Sequence, residues 1–90
     1  MNNYKNNQIN FDIDYSFFTT DEIVKIINFF DIIIKYNEKE FNDKMVIINK
    51  YHEYQKILNS KALEKKYNKM LYDQTDINIY QIMKELENKK

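Results

Sequence analysis

Few side chains in this sequence could do chemistry, and each is weighed on its neighbours. His52 is the one histidine, and it falls at the margin of an apolar helical face between Met45 and Gln55. No second histidine or cysteine accompanies it as a metal ligand, and no serine or carboxylate is placed to make it a catalytic base. The run Asp12-Ile13-Asp14-Tyr15-Ser16 has the alternation of a calcium loop. Its sixth position is Phe17, where the sharp turn needs glycine, and its twelfth is Ile23, where a bidentate glutamate belongs. An acidic approach to a helix N-terminus accounts for the same residues. Lys61, Lys65, Lys66 and Lys69 form a basic helix face partly offset by Glu64. A phosphate-binding patch would combine such cations with arginine and stacking aromatics, so this face is expected to be a solvated helix surface. The carboxylates are dispersed and no glycine loop cradles a phosphate. The expectation is a protein that is not an enzyme and uses no cofactor or metal.

Nucleic-acid binding has one specific argument. The segment Lys61 to about Tyr72, the polar connection Gln74-Thr75-Asp76-Ile77-Asn78 and a capped helix from Asn78 together have the form of a helix-turn-helix. Docked in a major groove, that last helix would present Asn78, Tyr80, Gln81 and Lys84, and asparagine or glutamine can read adenine with two hydrogen bonds. The electrostatics oppose it. Fourteen lysines balance fourteen acids, giving a formal net charge of +0, and phosphate attraction normally supplies most of the affinity. Two packed helices with a short connection use the same residues and need no partner.

The element that must position everything else is Thr19 to Tyr36. Stepping about 100° per residue, Ile23, Ile26, Ile27, Phe29, Phe30, Ile33, Ile34 and Tyr36 cover a broad arc, leaving only Asn28, Asp31 and Lys35 as a polar stripe. Burying such side chains is worth about 1.5 to 3 kcal/mol each, so this helix is expected to be the centre of the fold. Thr19-Thr20-Asp21-Glu22 marks its start as a capping box, with Phe17 and Phe18 outside the cap in reach of a staple against Ile23. The apolar run is shorter than the roughly 20 residues a membrane span requires, and Lys25, Asn28, Asp31 and Lys35 interrupt it.

Ninety residues suffice for one core. The first ten are asparagine-rich and lack the basic start and apolar core of a secretory signal, so disorder there and a cytoplasmic protein are expected. Residues 11 to 18 alternate aromatic and acidic types and are read as an extended arm, anchored by Phe11, Ile13 and Phe17 or Phe18. Four helices follow, at about residues 20–37, 41–58, 61–72 and 79–88. The second turns Phe41, Ile47, Ile48, Tyr51, Tyr54 and Leu58 to one face; the third offers Leu63, Tyr67, Met70 and Leu71; the fourth offers Ile79, Ile82, Met83 and Leu86. The chain has neither glycine nor proline, a pattern that AT-rich codon usage would produce. Positive-φ turns must then fall to asparagine or aspartate, and Asn37, Asn59 and Asp73 are the expected turn residues. The fold class is therefore all-α: a compact four-helix array around a mostly buried first helix, with an aromatic N-terminal arm.

Several blocks also match a known group. Phe11-Asp12-Ile13-Asp14-Tyr15, Phe17-Phe18-Thr19-Thr20-Asp21-Glu22, Ile26-Ile27-Asn28-Phe29-Phe30, Asn59-Ser60-Lys61-Ala62-Leu63-Glu64-Lys65 and Asp76-Ile77-Asn78-Ile79-Tyr80 resemble successive segments of uncharacterised protein family 0223, found mainly in low-GC Gram-positive bacteria. The resemblance spans nearly the whole chain. Asp12 and Asn59 stand where that family usually has proline, and Asp76 where it has glycine; Phe17 or Phe18 replaces its tryptophan. The resemblance implies a compact all-helical protein and carries no catalytic residues with it.

Eight tyrosines and six phenylalanines are more than a small core readily hides, and tyrosine is enriched at interfaces. The expectation is a small helical module that binds a protein partner or itself, with Tyr15, Phe18, Tyr54, Tyr72 and Tyr80 as the candidate surface.

Overall fold

A computed structural model gives the fold, and it describes residue 11 and residues 13–88. The expected disorder of residues 1–10, the first calcium-loop position Asp12 and the C-terminal Lys89 and Lys90 lie outside the described residues. The described residues form four helices: α1 Thr20–Asn37, α2 Lys44–Leu58, α3 Lys61–Thr75 and α4 Ile79–Asn88. Among the described residues there is no strand.

Each helix begins on a side chain suited to its orphan amides. The Thr19 hydroxyl accepts from Glu22 N–H at 3.1 Å while the Glu22 carboxylate accepts from Thr19 N–H at 3.0 Å, completing the capping box of α1. Phe18 and Ile23, in the two staple positions around that cap, are both buried. Asp43 caps α2 through Val46 N–H, Ser60 caps α3 through Leu63 N–H, and Asn78 accepts from Gln81 N–H at the start of α4. The Asp43 cap corrects the expected start of the second helix. Phe41 precedes it and packs on the core as a partly buried residue of the connection.

Positive φ occurs at Lys39, Asn59 and Asp76. Asn59 is the turn residue the sequence leads one to expect; Asn37 and Asp73 are not. Asn37 is the last residue of α1, which closes through Lys39 N–H to Tyr36 C=O and Glu40 N–H to Lys35 C=O, a Schellman arrangement with lysine in the left-handed position. Asp73 lies inside α3, which runs one turn beyond Tyr72 and ends at the left-handed Asp76.

The core confirms the reading of α1. Ile23, Ile26, Phe29, Phe30, Ile33 and Ile34 are buried, while Asp31 and Lys35 pair across the exposed stripe at 3.2 Å. α1 packs most closely on α2, and α2 in turn meets α3 and α4. Tyr54 of α2 stacks on Phe29 at 4.6 Å and meets the edge of Phe30 at 5.5 Å. The N-terminal arm closes over the open side: Phe11 lies 5.0 Å from the Phe30 ring, and Ile13 and Phe18 are buried. Between them the chain turns, with Phe17 N–H bonded to Asp14 C=O at 3.1 Å, so the arm is bent at Tyr15 and Ser16 where an extended run is expected. No described helix is long and apolar enough to cross a membrane.

Candidate functional site

The five aromatics expected at the surface divide. Tyr54 is only 1% exposed and Phe18 only 7%, so neither can meet a partner. The reason is packing: the Tyr54 ring lies against Phe29 and Phe30 of α1, and the Phe18 ring lies 6.0 Å from Tyr67 of α3. Tyr15, Tyr72 and Tyr80 are exposed. Tyr15 stands on the bend of the arm. Tyr72 and Tyr80 come together where α3 faces the start of α4, bordering a hollow of about 200 Å³ with Asn68, Lys69, Asn78 and Ile79.

Tyr80 also borders a larger groove of about 640 Å³ whose other wall is α2 and the N-terminal half of α3. Part of its lining is a polar cluster. The Tyr51 hydroxyl donates to Glu64 Oε2 at 2.8 Å, and the Gln55 amide donates to the Tyr51 oxygen at 3.1 Å and to both Glu64 oxygens. Beside it the Tyr54 hydroxyl donates to Asn68 Oδ1 at 2.6 Å. Burial pushes the Tyr51 phenol above its usual range, and the hydrogen bond and charge of Glu64 push it further. Tyr54 is raised for the same first reason, with the nearby Glu64 charge adding to it. Near neutral pH both hydroxyls are held as neutral donors, the opposite of what a tyrosinate base or nucleophile needs. Sequence reasoning missed this cluster. Its signal was two polar pairs at i,i+4, Tyr51 with Gln55 and Glu64 with Asn68, each beside an apolar stripe.

The other candidates stand apart. His52 Nε2 lies 3.8 Å from Glu87 Oε2, with both side chains about half exposed. The Asp14 carboxylate accepts from the Ser16 hydroxyl and N–H, at 2.7 and 3.0 Å, and these bonds hold its pKa below the usual carboxylate range. Among the described residues no three of His, Cys, Asp and Glu converge as a metal site would require. Asn78 before α4 and Tyr80, Gln81 and Lys84 on it are all exposed, but Asn78 Oδ1 is engaged in capping the helix, and Glu85 and Glu87 follow on α4. Lys69 of the basic face is paired with Asp73 at 2.9 Å.

The family model for an uncharacterised protein family, UPF0223, matches residues 8–90. Among curated proteins, a UPF0223 protein of Staphylococcus haemolyticus is 32% identical over 77 residues, an overlap covering 86% of this chain and 81% of the relative. No solved structure matches the chain. The span of the family model and the identity to the curated relative show that the chain belongs to the uncharacterised protein family UPF0223.

Proposed function

We propose that this protein is a small non-enzymatic interaction module of the bacterial cytoplasm, binding another protein or a second copy of itself through the aromatic surface shared by α3 and α4. The observation that carries the reading is the pairing of Tyr72 and Tyr80, 47% and 65% exposed, around a continuous depression. A tyrosine presents a large, rigid contact area and a hydrogen-bonding tip, and two of them at one concavity make an anchor site of the kind interfaces use. Tyr80→Ala with Tyr72→Ala is expected to abolish partner capture or self-association, read by affinity purification and sedimentation, while Tyr15→Ala leaves both unchanged. Unaltered partners and oligomeric state in the double variant would end the proposal.

The second reading is a helix-turn-helix-like contact to nucleic acid, favoured by the exposure of Tyr80, Gln81 and Lys84 on one helix. It is tested by electrophoretic shift with random DNA at two salt concentrations. Salt-sensitive binding at micromolar protein supports it, and none dismisses it.

A further inference from the structure

On α3, Lys61, Lys65, Asn68 and Tyr72 follow at i, i+4, i+7 and i+11, so they form one straight ridge about 16 Å long at 1.5 Å per residue. This ridge borders both depressions described above; they share Asn68 and Tyr80 and so adjoin, forming a groove in two parts. Its two ends differ in chemistry. At the α3 N-terminus, Lys61 and Lys65 are exposed and have no ion-pair partner among the described residues. The positive end of the helix dipole adds to their field. Glu64 tempers it, but its oxygens are turned to Tyr51 and Gln55 on α2. In the middle, Asn68 gives its carbonyl oxygen to Tyr54, which leaves its amide hydrogens as donors at the groove. At the far end Lys69 is neutralised by Asp73, and Tyr72 and Tyr80 supply exposed aromatic surface.

We infer that this groove takes a peptide segment of a partner protein that carries carboxylates toward Lys61 and Lys65 and an apolar or aromatic side chain toward Tyr72 and Tyr80. The inference rests on the interaction-module reading and names the partner's chemistry. A ridge of this length matches about five extended residues or three helical turns. The free cations at one end and the charge-neutral aromatic end together set the order of groups that a bound segment must display. Between the two ends the Asn68 amide supplies donors, as carbonyl-rich backbone or carboxylates require.

The test uses the full chain and a fluorescent synthetic peptide in which a run of aspartate and glutamate adjoins a leucine-phenylalanine pair, made in both orders. Anisotropy titrations compare it with a control in which the acids are replaced by asparagine and glutamine. The acidic probe is expected to bind at least about tenfold more tightly than the control at low salt, with the difference shrinking as salt rises. K61Q with K65Q and, separately, Y80A should each weaken it about tenfold. All three residues are exposed, so helical circular dichroism should be unchanged. Equal binding of probe and control, no binding of either, or indifference to K61Q/K65Q overturns the inference. A concentration-dependent dimer dissolved by Y80A would assign the groove to a second copy, and DNA binding lost in K61Q/K65Q would assign it to nucleic acid; either overturns it. If native partner capture is lost in the Tyr72 and Tyr80 double variant but survives K61Q/K65Q, the module reading stands and the acidic segment alone falls.

Discussion

The hydroxyl of Tyr54 reaches Asn68 at 2.6 Å, joining the most enclosed aromatic of α2 to the middle of the exposed ridge on α3. The ring is a core element and its oxygen is a polar strut, so the two parts separate by mutation. Tyr54→Phe keeps the stack on Phe29 and is expected to cost about 0.5–1.5 kcal/mol, the net worth of one hydrogen bond. Tyr54→Ala removes the ring as well and should cost about 3–5 kcal/mol. Urea unfolding measures both, and a double-mutant cycle with Asn68→Ala isolates the bond. Equal losses for Phe and Ala would mean that the ring contributes no packing.

Alkaline pH offers a second measurement. The folded state raises the pKa of Tyr51 and Tyr54 above the ordinary value of about 10, chiefly by burial. Below that value both states hold the proton, and the associated stability is fully present. As pH rises past about 10 the unfolded chain releases protons that the folded chain retains, so stability falls by up to about 1.4 kcal/mol per pH unit for each group. Thermal midpoints should drop steeply above pH 10 in the native protein and less steeply in Tyr51→Phe/Tyr54→Phe. Identical slopes in the two proteins would show that other groups drive the alkaline loss.

The parts of this fold that could be read in the sequence are those fixed by local chemistry. Thr19 with Glu22, Ser60 and Asn78 announce helix starts because hydroxyl, carboxylate and amide groups bond amides two or three residues away. The α1 face was legible because its apolar period extends over several turns. Phe41 misled because an apolar residue in the right phase extends a period whether or not the backbone is helical; the cap at Asp43 decided the boundary. Phe17 and Phe18 are neighbours of one type, yet the first is exposed and the second buried, a choice made by the bend at Asp14 that no periodicity encodes. Tyr54 and Tyr72 are equally ambiguous: burial of a tyrosine depends on a partner for its hydroxyl, here Asn68 on another helix.

The central helix yields a contrast of neighbouring sites. Phe30 is fully buried against Phe11, Phe29 and Tyr54. Phe30→Asp would put an unpaired carboxylate in that apolar setting and is expected to unfold the domain. Asn28→Asp, on the exposed stripe, should change stability by under about 0.5 kcal/mol. Circular dichroism melts of the two variants check both statements, and a folded Phe30→Asp protein would place that residue outside the core.

Among the described residues, Lys39 is the one left-handed residue that has neither an asparagine nor an aspartate side chain to favour it. At φ 65° its Cβ crowds the backbone, a strain of about 1–2 kcal/mol for an ordinary residue. Glycine removes that crowding but gives the unfolded chain more freedom, worth about 0.4–1 kcal/mol in the opposite direction. The difference favours the variant, so Lys39→Gly is expected to stabilise the protein by about 0.5–1 kcal/mol and to raise its thermal midpoint by roughly 3–6 °C. The Schellman bonds from Lys39 and Glu40 are backbone bonds and survive the change. Lys39→Val, which adds a branch at Cβ, should lower the midpoint instead. Calorimetry on the three proteins orders them as glycine above lysine above valine, and a glycine variant less stable than the native chain would mean that Lys39 carries no strain.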